Sequence, residues 1–521
     1  MLVRLALRPE RFRHPVMRAT LWLIDRCGAE RRPDRRPAET TSRATWMVSP
    51  LAGCYADVCP TGAGLRAGRA LAALLSIGAG AVLVALAGAA RAESPAVDRL
   101  TGHGGPVRAI SVSPDGREIV TSSFDNTVGV WDGKTLAHKR WLEPHDAAAN
   151  AALHLPSGRA IISAGDDFKL RRWAPGSAAR GAAASVVLQG HRGKVMGLAA
   201  TSDDLLASAG WDGWVGIWSG VQNGEGNAPV FLTGHRAAVN DVAFARSGKT
   251  LYSASADGTV RAWRVADRQQ LRIEAKHGFG INKLIVGPGD AWLAYGATDG
   301  VVRIVDPASG KQIAKFGGER RPILAMALSR DETKLAYGDG QGYITLIDVG
   351  AWRMERDFRA VRRGPVWALA FRDEDTLLAG GLDDFVSVWP IGADTLPRPA
   401  AAGDPRFLVD PKKVSNGERQ FARKCSVCHT LTPDGRRRAG PTLYGLFGRR
   451  AGTLPGYTYS KALSASTIVW SSATVDKLFD LGPAHYTPGS KMPMQRITRP
   501  ADRADLITYL QAVTAPAVSQ Q

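Results

Sequence analysis

A chain of 521 residues is too long for one ordinary hydrophobic core and points to about two to four domains. Its 45% apolar and 22% charged residues match a soluble globular protein and exclude wholesale disorder. The net charge of +19 sits at the two ends: residues 1–92 carry 14 Arg and no Lys against 6 acidic residues, and residues 405–521 carry 17 basic against 7 acidic. The long middle is nearly neutral, so no nucleic-acid partner is expected.

Residues 1–60 hold Arg/Pro clusters such as Arg31-Arg32-Pro33-Asp34-Arg35-Arg36-Pro37 without a sustained apolar period, and no packed domain is expected there. Arg66 and Arg69 then precede 21 uncharged residues, Ala70 to Ala90, followed by Arg91 and Ala92. A positive flank, an apolar run and the small-x-small triplet Ala90-Arg91-Ala92 read as an export signal cleaved near Glu93, which places the mature protein in the periplasm. The competing reading is an uncleaved inner-membrane anchor facing the periplasm, because about 20 residues suffice to span a bilayer. Membrane contact is expected only in that second case. A signal this far into a chain is accounted for most simply by a start downstream of Met1. Cleavage would remove Cys27, Cys54 and Cys59, leaving Cys425 and Cys428 as the only thiols, which suits an oxidising compartment.

From residue 93 to 397 the chain repeats itself. Asp125, Asp167, Asp212, Asp257, Asp299, Gln341 and Asp383 occupy one slot at steps of 42 to 45 residues. Six residues beyond each stand Trp131, Trp173, Trp218, Trp263, Val305, Ile347 and Trp389. Some 22 residues before each stand His103, His145, His191, His235, His277, Glu319 and Val361. Short β-rich runs alternate with turn signals inside each unit, as in Val239 to Phe244, then Ala245-Arg246-Ser247-Gly248, then Leu251 to Ala254. This layout, with Gly102-His103, Gly190-His191, Gly234-His235 and Trp131-Asp132, resembles the WD-repeat family. The resemblance implies a seven-bladed β-propeller whose ring is closed by a strand near Pro95 to Leu100. It also makes the recurring His, Asp and Trp a structural network rather than a catalytic one, since an active site is not repeated in every blade. The sixth unit is the most divergent.

Leu396-Pro397-Arg398-Pro399-Ala400-Ala401-Ala402-Gly403 reads as a semi-extended linker, taken as residues 398–404. Beyond it, residues 405–521 contain Cys425-Ser426-Val427-Cys428-His429. Two thiols three residues apart can add to the two vinyl groups of a haem, and the adjoining histidine can ligate the iron. Zinc would need a second ligand pair, and no cysteine follows Cys428. Ser415 is placed to cap a helix that delivers Cys425. For a second axial ligand the residues alone leave Met492, Met494 and His485 open.

Gly440-Pro441, Gly448-Arg449-Arg450-Ala451-Gly452, Gly456-Tyr457-Thr458-Tyr459-Ser460, Trp470 and Tyr486-Thr487-Pro488-Gly489-Ser490-Lys491-Met492 make this region similar to the small soluble class I cytochromes c. The resemblance implies a small all-α domain carrying one covalently attached haem c, with iron between His429 and Met492. It also places the Pro441 carbonyl on the His429 ring, and Arg449, Tyr459 and Trp470 near the propionates. A terminal helix from Ala501 to Ala512 would pack on the first. His/Met ligation leaves iron no open position and favours electron transfer. The expectation is thus a multidomain chain, an all-β seven-bladed propeller followed by a cytochrome c domain, that acts as a periplasmic electron carrier. The propeller would serve as its docking module. An acidic redox protein, a dehydrogenase or an oxidase is the expected partner, steered by Lys424, Arg436, Arg437, Arg438, Arg450 and Lys491. The alternative is an oxidoreductase with its substrate site in the propeller and the haem as electron outlet.

Overall fold

Short apolar runs punctuated by tight turns fold, in each of the seven units, into a four-stranded antiparallel sheet. The computed structural model describes residues 98–142, 145–176, 185–224, 227–318, 322–399, 410, 412–433, 438–493 and 495–516. The proposed signal or anchor, most of the linker, Glu319, Arg436, Arg437 and Met494 lie outside the described residues. In the fourth sheet the strands are Val239–Phe244, Thr250–Ser255, Thr259–Arg264 and Gln269–Lys276. The second strand is buried almost throughout and the fourth is largely exposed, so apolar content falls from the centre of the ring outward.

The seventh sheet takes its outer strand from the beginning of the ring. Asp98–Thr101 pairs antiparallel with Phe385–Pro390, with Asp98 opposite Val388 and Thr101 opposite Phe385. The closing strand expected near Pro95 to Leu100 is therefore present, and no blade is left with an open edge on that side. Each blade's first strand also touches the first strand of the next, from Val107–Val112 round to Val366–Asp373.

The core is divided among seven apolar layers, one between each pair of neighbouring blades. Trp131, Trp173, Trp218, Trp263 and Trp389 are among the largest fully buried side chains. Truncating any of these to alanine would cost about 3–5 kcal/mol.

In the first four blades the recurring residues form one hydrogen-bond relay. His103 Nδ1 meets Asp125 at 3.1 Å, its Nε2 meets Thr121 Oγ1 at 2.7 Å, and Trp131 Nε1 donates to the same Oγ1 at 2.8 Å. Ser163, Ser208 and Ser253 take the hydroxyl's place in the next three blades. The fifth blade keeps only the His277 to Asp299 contact at 2.9 Å. Where Trp becomes Val305 or Ile347, the hydroxyl position becomes Tyr295 or Tyr337, both buried, so bulk moves from one strand to its neighbour. In the divergent sixth blade Asp339 accepts from the Gln341 and Tyr343 amides and holds the turn.

The C-terminal domain is helical: α1 (Asn416–Lys424), α2 (Lys461–Ser464), α3 (Ser472–Leu481), α4 (Pro483–Tyr486) and α5 (Pro500–Thr514). Ser415 caps α1 by accepting from the Glu418 amide at 3.2 Å, as its sequence position implies. Helix α5 crosses α1 closely because Gly417 has no side chain; a Cβ there would overlap the Asp505 carbonyl. Around the crossing, Phe421, Val475, Phe479, Leu506 and Leu510 form a separate core.

A semi-extended linker suggests few contacts between the domains it joins. Instead Arg438 donates to the Gly104 carbonyl at 2.6 Å and approaches Asp384 at 3.8 Å, while Lys491 lies 3.4 Å from Asp146. A linker's composition sets its stiffness but says nothing of the surfaces it lets meet.

Candidate haem site

Helix α1 runs directly into the Cys-x-x-Cys-His turn. The Cys425 amide donates to Phe421 O at 2.8 Å, and the Cys428 and His429 amides both return to Cys425 O, at 3.0 and 2.9 Å. One helical turn and its continuation thus present both thiols and the imidazole from a single support. Cys425 and Cys428 are free of any disulfide, and burial pushes their thiols up to about 12 and about 11.

His429 Nδ1 donates to the Pro441 carbonyl at 2.7 Å, which leaves Nε2 as the nitrogen available to a metal. Burial lowers the imidazole's pKa, with the Pro441 bond acting the other way; the neutral form is the one that binds iron. Gly440 makes the fit possible, since any side chain at 440 would overlap the His429 ring. Its amide also donates to Cys428 O at 2.8 Å, tying the Pro441 loop to the Cys-x-x-Cys turn.

Along residues 414–514 this geometry coincides with a match to the Cytochrome c family. The cytochrome c of Sesamum indicum is 44% identical over 107 residues, which are 20% of this chain and 94% of that protein. The cytochrome c of Chlamydomonas reinhardtii is 41% identical over 102 residues, again 20% of this chain and 90% of the relative. The chain belongs to the cytochrome c family. Its cytochrome c domain carries covalently bound haem c, and Cys425 and Cys428 lie within that domain. The WD domain, G-beta repeat matches residues 95–132, 184–219 and 227–264. A solved structure of the WD40 beta propeller domain of Doa1 superposes with a TM-score of 0.51 at 17% identity, covering 57% of this chain and 96% of that one. That likeness is one of fold.

The remaining expected residues of the cytochrome c domain fall in two groups. Arg449 donates to the carbonyls of Tyr444 at 2.9 Å and Thr442 at 3.0 Å, bracing the loop that carries Pro441. Burial lowers its pKa and the nearby Tyr459 offsets this. Trp470 pairs with the same segment, its carbonyl accepting from the Gly448 amide at 2.8 Å and its amide donating to Arg449 O at 3.0 Å. Met492 packs against the same core cluster as Cys425 and Phe421. His485 is exposed on α4 and joins none of these contacts.

Two residues of this site were given no role by the sequence. The Tyr457 hydroxyl donates to the Ala439 carbonyl, holding the residue before Gly440. Arg503 is buried on α5 and bonds Asp476 at 2.7 Å and the Ile497 carbonyl at 2.8 Å, fixing α5 to α3 and to the segment after Met492. Its spacing of three and four residues from Leu506 and Ile507, on the apolar face of α5, was the available signal.

Proposed function

We propose that the protein is a periplasmic electron carrier holding one His429/Met492-ligated haem c, with the propeller as its docking module. The observation that carries the reading is the 2.7 Å bond from His429 Nδ1 to Pro441 O, made beside two free cysteines on the same backbone turn. When bound through Cys425 and Cys428, the haem supplies a reversible one-electron couple. The protein's own residues do the rest. Pro441 sets the tautomer and angle of His429, Gly440 clears the space for its ring, and Arg449 stiffens the loop behind both. Met492, packed on the apolar core, would supply a thioether sulfur as the second ligand, which would favour the reduced iron and leave no open position for oxygen chemistry. Arg449, Tyr459 and Trp470 would lie near the haem propionates.

Visible spectroscopy and redox titration of the exported protein test this reading. A haem that survives denaturation still attached, a low-spin spectrum with a sulfur-to-iron band, and one reversible couple are expected. A high-spin iron that binds added cyanide without any substitution would sink the carrier assignment. N-terminal sequencing tests export: a mature chain beginning near Glu93 is expected, and recovery of residues 60–90 would mean an anchor instead.

A further inference from the structure

The cytochrome c domain meets the propeller through the two basic residues that flank its iron-binding loops. Arg438 lies two residues before Gly440, whose amide is bonded to Cys428, and Lys491 immediately precedes Met492. Arg438 reaches Gly104 O at 2.6 Å and Asp384 at 3.8 Å, while Lys491 reaches Asp146 at 3.4 Å. The propeller side is contributed by three neighbouring blades: Asp384 from the seventh, Gly104 from the entry to the first and Asp146 from the entry to the second. Both basic side chains are mostly buried, at 18% and 15% exposure, while Asp384 and Asp146 retain 44% and 47%.

Between these contacts lies a cavity of about 440 Å³. It is lined on the propeller side by Asp125, Asn126 and Thr127 and on the other by Gly440, Pro441 and Tyr457. Pro441 is the residue whose carbonyl holds His429, so the gap opens onto the iron-ligand side of the domain. The contact is polar, unlike the seven apolar layers of the ring. It has the character of a reversible docking interface.

We propose that the acidic rim of blades 7, 1 and 2 is a docking surface for the basic rim of the cytochrome c domain, and that Asp384 and Asp146 there occupy the charges an outside acidic carrier would use. The propeller is then a competitor as well as a platform. An acidic partner gains Arg438 and Lys491 only by displacing Asp384 and Asp146, whereas a partner that docks across both domains meets the site with the latch in place. The consequence rests on the electron-carrier reading, but the test reads structure and not electron transfer, so either can fail alone.

Zero-length carbodiimide coupling of the dilute, full-length haem-loaded protein, mapped by peptide mass spectrometry, decides the matter. Lys169 lies 2.8 Å from Asp146 within the propeller, so a 146–169 product serves as an internal control on the reactivity of Asp146. A 146–491 product that persists on dilution is expected, since the contact is intramolecular. It should weaken in Asp384→Lys, which keeps Asp146 and the 146–169 control, and small-angle scattering of the Asp146→Lys, Asp384→Lys double variant should show an increased radius of gyration. Appearance of the 146–169 product without any 146–491 product, together with unchanged scattering from the double variant, would overturn the proposal.

Discussion

Asp383 occupies in the seventh blade the slot whose carboxylate is met by a histidine in the first five, but the residue in the histidine slot is Val361. Burial, and then the neighbouring charge of Asp384, push its carboxyl from 3.8 to about 6, with Arg99 pulling the other way. A pKa raised in the folded state means that the native protein holds the proton more tightly than the unfolded chain. The stability this contributes is complete below about pH 4 and is lost as pH rises through about 6. A shift of about two units corresponds to about 3 kcal/mol at about 1.4 kcal/mol per unit, which is the ceiling on the burden of the charged form above neutrality. Asp383→Asn keeps the shape and removes the ionisation. It should therefore stabilise the propeller by about 2–3 kcal/mol near pH 8 and leave it nearly unchanged near pH 4. Urea unfolding of both proteins at both pH values, followed by far-UV circular dichroism, yields the difference directly. An equal effect at the two pH values, or destabilisation at pH 8, would refute the account of an uncompensated carboxylate.

The hydroxyl of the relay is open to test in both directions. Ser253→Ala removes the partner of His235 and Trp263 at once and should cost about 2–3 kcal/mol by chemical denaturation. Trp389 Nε1 is buried without a hydrogen-bond partner because Ala379 stands where the other four blades with a Trp have Ser or Thr; Ala379→Ser should stabilise by about 1 kcal/mol. Met492→Ala should leave the haem attached while lowering the midpoint potential and admitting imidazole to the iron, as read by titration and optical spectra. Gly417→Ala forces α1 and α5 apart and should lower the thermal stability of the cytochrome c domain by about 1–3 kcal/mol.

The ring was legible because its signal is repeated: a Trp and an Asp six residues apart, returning every 42 to 45 residues, outweigh any single ambiguous strand. The haem-binding turn was legible because Cys425, Cys428 and His429 are contiguous and their chemistry is narrow. The Thr121, Ser163, Ser208 and Ser253 hydroxyls were not picked out, since Ser and Thr are common in strands and only the pairing register shows which of them face a Trp. The exchange of bulk between Trp and Tyr in the fifth and sixth blades was hidden for the same reason. Least visible was the contact of Arg438 and Lys491 with the propeller. A charged residue 334 positions from the backbone carbonyl it binds leaves no local pattern, and the overall charge balance describes a tendency without naming a partner.

The strand that closes the ring bears on the timing of folding. Asp98 and Val388 are about 290 residues apart in sequence, so the first strand to be synthesised must wait for almost the whole propeller before its partner exists. Loop closure over such a distance is entropically costly and slow. Until it occurs, the seventh sheet presents an unpaired edge to its surroundings. The final strand, Phe385–Pro390, enters just ahead of the linker, so the ring can be completed while the haem-binding turn is still being made. A cytochrome c domain that folds after closure meets the rim of blades 7, 1 and 2 already assembled, because closure sets the blade of Asp384 next to the blade of Gly104.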